Sequence, residues 1–334
     1  MSAQLPTLDL SLFTRGTDAQ RQTFCLELVD SLRKFGFVRC VNYGINPNAV
    51  NKLFDVSKDF FDLTHDEKMT AAHPARPNPH RGYSFVGQEI TSTLSRPQPG
   101  EAAAPRKFDV KETFDQGSPH DRLFPNIYPQ VASQSDFQPT LDNFFEACHQ
   151  THMHILDALA VGLGLPPHRF SSLHQQRDSS ELRLLHYPAV AAADIQEQGF
   201  KTRISEHTDA GSITLLFQDD CGGLEIEDQR PGHDGFIPVS SHLPTVLINV
   251  GDSMQHWTND EIRAVWHRVT LPKDSTGEDS SSILPARYSV AYFGKPDRDA
   301  SVGCFEEFVS ADRPARYKDV SALEWNQRTL LKTY

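Results

Sequence analysis

The apolar positions change period along the chain, and the change divides it into two textures. In the first, Phe24, Leu28 and Leu32 recur between Ala19 and Phe35 at a spacing that puts them on one helical face. Ahead of them, Leu5-Pro6-Thr7-Leu8-Asp9-Leu10 reads as a short strand. Behind them, Phe37-Val38-Arg39-Cys40-Val41 reads as another, ended by Asn42-Tyr43-Gly44. A second helix is predicted from about Pro47 to Leu63. From His73 to Pro105, Pro74, Pro77, Pro79, Pro97, Pro99 and Pro105 exclude a long helix. That segment is either a lid or a loop wrapped on the core, with Arg81-Gly82-Tyr83-Ser84 as a part that could be ordered. The longest helical pattern runs from Pro139 to Leu165, with Cys148, His152, Ile155 and Leu159 on one stripe, so His152 is read as facing the core.

After residue 180 the period shortens to two. Strand-like runs alternate with Gly, Pro and Asp turns: Leu182–Tyr187, Ser212–Phe217, Leu224–Glu227, Thr245–Val250, Val265–Leu271 and Tyr288–Phe293. Short strands at this spacing predict an antiparallel sandwich or barrel. A last helix is predicted from Val320 to Leu331. The pattern is therefore mixed α+β: helices in front, a jelly-roll-like β core behind, and a C-terminal helix packed on it. No internal repeat is visible.

Composition narrows the partners. The 334 residues are 38% hydrophobic, which excludes a disordered chain. Asp+Glu number 44 against 32 Lys+Arg, a net charge of -12, and such a surface repels nucleic acid and anionic membrane. The expected partner is a small molecule. No apolar run approaches the roughly 20 residues of a membrane span, and the first residues lack the basic-then-apolar pattern of a secretory signal. The 5 cysteines (Cys25, Cys40, Cys148, Cys221, Cys304) are widely spaced and odd in number, as expected of reduced thiols in a cytoplasmic protein. Oligomeric state is not readable.

Candidate chemistry concentrates in the second texture. In Glu206-His207-Thr208-Asp209, His207 and Asp209 lie two apart and so point to one face of a strand. His267, in Val265-Trp266-His267-Arg268-Val269, sits among apolar residues where a histidine needs a reason to be. Two histidines and one carboxylate on one side of a metal form the facial triad of non-haem Fe(II) oxygenases, and zinc is the chemical competitor. Arg287 and Ser289 again share one face, followed by the buried-looking run Val290-Ala291-Tyr292-Phe293. A guanidinium and a hydroxyl so placed could anchor a carboxylate, the other reading being a surface salt bridge. In Arg183-Leu184-Leu185-His186-Tyr187-Pro188, Arg183 shares a face with Leu185 and Tyr187. Its charge would pair with a core carboxylate or with the substrate.

These motifs, in this order, resemble the isopenicillin N synthase-like branch of the Fe(II)- and 2-oxoglutarate-dependent dioxygenases. The resemblance runs over nearly the whole chain. It includes Leu5–Asp9, Gly36-Phe37-Val38-Arg39-Cys40-Val41-Asn42-Tyr43-Gly44-Ile45, Phe60-Phe61-Asp62-Leu63 with Glu67-Lys68, Arg81-Gly82-Tyr83 and Asp109-Val110-Lys111-Glu112. It continues through His207-Thr208-Asp209, His267-Arg268-Val269 and Arg287-Tyr288-Ser289. Leu182–Val190 and Glu206–Asp219 are most similar to fungal thymine-hydroxylase-type enzymes. The chain departs from the family in the polar insertion Lys273–Ser282, in Leu185 where many members carry asparagine, and in Ala210 where thymine hydroxylases place a stacking aromatic.

The resemblance implies a double-stranded β-helix (jelly-roll) core with an N-terminal α/β region and flanking helices. It divides the chain into an N-terminal region (1–120), a supporting long helix (121–180), the catalytic jelly roll (181–300) and a C-terminal helix (301–334). It implies Fe(II) on His207, Asp209 and His267, and 2-oxoglutarate held by Arg287, Ser289 and Tyr187. Arg183, Phe293 and Ala210 would face the substrate. With O2 as the other cosubstrate, 2-oxoglutarate becomes succinate and CO2 through an Fe(IV)-oxo species, and a C–H bond of a small metabolite of fungal secondary metabolism is oxidised. Two alternatives stand beside this: a 2-oxoglutarate-independent oxidase of the isopenicillin N synthase type, and a non-catalytic β-barrel that binds a small molecule. On the main reading, His207→Ala abolishes turnover while the fold survives. Wild-type turnover by that variant with iron supplied overturns the reading.

Overall fold

The computed structural model describes residues 5–74, 80–96, 107–192, 195, 201–230, 232–240, 244–271 and 283–332. The insertion Lys273–Ser282 and two stretches of the proline-rich segment, 75–79 and 97–106, lie outside the described residues.

The helices begin and end where local chemistry tells them to. Thr17 and Gln20 form a reciprocal capping box at the start of the helix Asp18–Phe35, and Gly36 ends it at φ 64°. Asn46 caps the helix Pro47–Phe61, whose first residue is a proline that has no N–H to leave unsatisfied. The longest helix, Phe137–Gly162, buries Phe144, Phe145, Cys148, His152, Ile155 and Leu159. The predicted stripe thus faces the core, His152 with it. The C-terminal helix runs Ala322–Leu330 with Ser321 as its cap.

The strands form two principal sheets. The larger has eight strands, in the order Thr7–Asp9, Phe37–Val41, Val246–Val250, Ile213–Gln218, Arg287–Gly294, Glu181–Tyr187, Glu112–Gly117 and Gly82–Ser84. Its first pair is parallel and the others are antiparallel. The smaller has four, in the order Phe236–Pro238, Leu224–Glu227, His267–Val269 and Ile204–His207. Four strands from the first 120 residues are therefore hydrogen-bonded into the same sheet as strands from beyond residue 180.

Alternation along the strands separates two cores. Phe37, Leu185, Tyr187, Ile204, Leu224, Ile226, Val269 and Ala291 fill the space between the two sheets. The other face of the large sheet packs Leu184, Leu215, Phe217, Val290 and Tyr292 with Phe24, Leu28 and the long helix's Phe144 and Leu159. This is the jelly roll with flanking helices that the sequence predicts. Among the described residues no helix is long and apolar enough to cross a membrane. All five cysteines are free thiols.

Among the strands that the sequence reading lacked are Phe236–Pro238 of the small sheet and Gly82–Ser84 and Glu112–Gly117 of the large one. Glu112–Gly117 shows no apolar pattern because it buries Glu112 and Asp115, and Gly82–Ser84 is only three residues long with Tyr83 its one large side chain. Their aromatic members close the outer core: Phe60, Phe114 and Phe137 meet with ring centroids 4.9–5.0 Å apart. Phe114→Ala empties the centre of that trio and should cost about 3–5 kcal/mol. A chemical denaturation midpoint unchanged from wild type would contradict this packing.

Candidate metal centre and cosubstrate anchor

His207, at the end of the strand Ile204–His207, is directly opposite His267 in the neighbouring strand. Their rings lie 4.3 Å apart between centroids. Asp209 follows two residues after His207, and its Oδ1 is 3.9 Å from His207 Nε2 and 3.7 Å from His267 Nε2. Each imidazole is oriented by its own strand: Nδ1 of His207 lies 2.9 Å from the Ser205 carbonyl oxygen, and Nδ1 of His267 lies 3.1 Å from that of Val265. Nδ1–H donation to these carbonyls leaves both Nε2 lone pairs turned to one point. Burial pushes the His207 imidazolium down to about 3, so the ring is neutral and ready to accept a cation.

Asp209 is held from behind. Thr214 Oγ1 and Asn249 Nδ2 each donate to its Oδ2 at 2.7 Å, which leaves Oδ1 facing the histidines. Burial alone would raise its pKa, but His267, His207 and these two donors hold it below the usual carboxylate range. One carboxylate and two imidazoles converge from one side, the donor set of a facial triad with open positions opposite. The residues fit Fe(II).

The second constellation sits on the large sheet. Arg287 is opposite Tyr187, and Ser289 is opposite Leu185. The Arg287 guanidinium, 1% exposed, donates to Gly222 O, Ser289 Oγ and Gln218 Oε1, and lies 4.8 Å from the Tyr187 ring centroid. Among the described residues no carboxylate forms an ion pair with it. A buried cation held only by neutral acceptors calls for an anion from outside the chain. One pocket reaches both constellations, lined by the triad, Tyr187, Arg287 and Ser289. Gln218 at the anchor and Thr214 behind Asp209 are four residues apart on one strand, about 13 Å of backbone.

The remaining predicted residues separate. Phe293 and Ala210 line the same pocket. Arg183 also lines it, but Asp115 and Glu89 already hold its guanidinium, at 2.6 and 2.9 Å. The core-carboxylate partner is thus the one present. Sequence reading missed Asn249, Gln218 and the end of the C-terminal helix, whose Thr329 and Leu330 complete the lining. Asn249 sits in the apolar run Val246–Val250, and a lone amide there was the one signal available.

Two family descriptions match the chain: "non-haem dioxygenase in morphine synthesis N-terminal" over residues 5–131 and "2OG-Fe(II) oxygenase superfamily" over residues 165–296. The 2-oxoglutarate-Fe(II) type oxidoreductase ppzD of Metarhizium rileyi is 44% identical, over 98% of this chain and 91% of its own. The chain belongs to the Fe(II)- and 2-oxoglutarate-dependent oxygenases. Proline hydroxylase buaE of Petromyces alliaceus is 41% identical, over 99% of this chain and 100% of its own. Among solved structures, full-length Neurospora crassa T7H in complex with alpha-KG superposes with a TM-score of 0.85 at 30% identity, over 98% of this chain and 96% of that one.

As a member of this family the protein is a non-haem dioxygenase that uses Fe(II), 2-oxoglutarate and O2. The comparisons favour that reading over both a 2-oxoglutarate-independent oxidase and a non-catalytic binder. Asn249 and Thr214 are the groups that fix the metal-facing carboxylate. Asn249→Ala should weaken Fe(II) binding roughly ten- to a hundredfold with little loss of fold. Anaerobic Fe(II) titration beside a melting curve checks this, and wild-type affinity in the variant would contradict it.

Proposed function

We propose that the protein hydroxylates a small zwitterionic substrate, a free amino acid with a saturated ring, beside iron held by His207, Asp209 and His267. Iron bound there supplies the oxidising chemistry. The chain supplies everything that selects and orients. Arg287, Ser289 and Tyr187, with Gln218, hold the distal carboxylate of 2-oxoglutarate. The surrounding apolar side chains keep water from the open metal face.

The observation that carries the substrate class is the charge balance of the pocket wall. Three cations of the wall, Lys111, Arg183 and Lys295, meet three carboxylates, Glu89 and Glu181 in the wall and Asp115 behind Arg183, all buried or nearly so. Further out, Asp109 lies beside Lys111, Asp121 pairs with both Arg81 and Arg298, and Asp178 lies beside Arg298. Charge pairing outweighs burial at two of the three carboxylates: Arg183 and Lys111 hold Glu89 well below the ordinary range, and Lys295 and Arg81 hold Glu181 at about 2, whereas burial leaves the pKa of Asp115 raised despite Arg183. Burial, reinforced by Arg183, keeps His80 neutral.

A wall in which these cations are each already paired with a carboxylate accepts a dipolar ligand by exchanging partners, carboxylate to cation and ammonium to carboxylate. A ligand with net charge would leave one buried charge unpaired, which is costly. Phe293, Leu94, Leu330 and Ala210 supply the apolar part of the same pocket. Alanine cannot stack on a planar ring, which favours a saturated ring over an aromatic base. The name of the relative buaE, a proline hydroxylase, supports the same class.

The test is succinate release with Fe(II), 2-oxoglutarate and a panel of free amino acids that includes L-proline and L-pipecolate. A cyclic amino acid should stimulate release. Its N-acetyl and carboxamide derivatives, each missing one charge, should be at least tenfold poorer. Equal turnover of the derivatives, or stimulation by none of the free amino acids, would reject the assignment.

A further inference from the structure

The pocket's charges are accounted for by partners or by ligand, but one buried cation just outside it is not. Arg203 precedes the metal-bearing strand Ile204–His207 and is 0% exposed. Its Nη2 donates to the Pro285 carbonyl oxygen at 2.6 Å, and its Nη1 lies 3.8 Å from the Cys221 sulfur. Its Nε is buried with no hydrogen-bond partner. Among the described residues no carboxylate pairs with it. Its guanidinium lies 5.9 Å from the centroid of the Tyr187 ring, the ring that Arg287 approaches to 4.8 Å.

Both partners of Arg203 belong to segments that hold Arg287. Pro285 is two residues before Arg287, and Cys221 directly precedes Gly222, whose carbonyl accepts from Arg287 Nε. Two guanidiniums thus share one tyrosine ring, both buried and neither matched by a carboxylate among the described residues. Like charges in a dry site are tolerated when an anion joins them. The Tyr187 ring face offsets only part of that charge.

We infer that Arg203 is a positioning residue for 2-oxoglutarate: it ties together the two segments that carry the Arg287 anchor and adds a second positive charge at the distal-carboxylate end of the pocket. Arg203 does not line the pocket itself, so it acts through Arg287 and Tyr187 and through its field. The inference rests on Arg287 being the anchor for 2-oxoglutarate.

The experiment is anaerobic calorimetric titration of the Fe(II)-loaded protein with 2-oxoglutarate and, separately, with 2-oxobutanoate, which lacks the distal carboxylate. Arg203→Met and Arg203→Gln should each weaken 2-oxoglutarate binding at least tenfold and leave 2-oxobutanoate and Fe(II) binding unchanged. Arg203→Lys should recover most of the affinity. Glutamine can still donate to the Pro285 carbonyl, so Arg203→Gln carries the test if the methionine variant does not fold. Wild-type affinity for 2-oxoglutarate in either neutral variant overturns the inference, as does an equal loss for both keto acids, which is what general loosening of the site would produce. If the wild-type protein shows no preference for 2-oxoglutarate over 2-oxobutanoate, the Arg287 anchor itself fails and the role of Arg203 falls with it.

Discussion

The architecture depends on how Asp209 is held. A carboxylate in a dry interior beside two imidazoles is stable only if its charge is shared, and here Thr214 and Asn249 share it from one side. The donors come from neighbouring strands of the large sheet, where Thr214 and Asn249 are directly paired. The two histidines come from the small sheet. The metal site is therefore a cross-link between the sheets, and its geometry is as rigid as their packing. Phe37, which packs edge-on against His267 at 5.6 Å, shows how closely the apolar core supports it.

The same economy of charge runs through the pocket. Around this pocket the fold accumulates carboxylates and cations from strands that the hydrophobic pattern hardly marks. Glu112–Gly117 is fully buried yet carries Glu112, Asp115 and Gln116, and each finds a partner: Glu112 with Lys68 and His186, Asp115 with Arg183, Gln116 with Asp142. Such a strand is stable only inside this tertiary context, because the same residues left unpaired in an apolar core would unfold it. Paired charges also give polar recognition without a net field.

The two ends of the pocket are built on different principles. At the end lined by Arg183, charges are matched within the protein. At the other end, Arg287 and Arg203 are buried with no carboxylate paired to them among the described residues, and on the proposed reading the matching charge arrives with the dicarboxylate. On that reading the two binding events are separated electrostatically, an anion at one end and a dipole at the other. The strand pair Glu181–Tyr187 and Arg287–Gly294 spans both, so one register fixes their separation.

Much of this was legible in the residues themselves. Period-two spacing placed Arg287 with Ser289, because a strand's pleat determines which side chains share a face whatever the strand pairs with. His207 and Asp209 do converge, but the strand ends at His207, and Asp209 reaches the same point from beyond that end, held by Thr214 and Asn249. Apolar periodicity located the long helix and most of the core strands for the same local reason. What sequence order does not contain is which face meets which. Arg183 paired with protein carboxylates rather than standing free for substrate because Asp115 and Glu89 come from segments some 70 and 90 residues away in the chain. Gln218 and Arg203 carried no local sign of their roles, and Asn249 only that of a lone amide in an apolar run, since each acts across strands distant in sequence. The sequence by itself determined the ligand types and their faces, which follow from backbone geometry. Only the tertiary structure decided which buried charges are satisfied within the chain and which are left to be met by a bound molecule, because that balance is a property of three-dimensional proximity in a low-dielectric interior.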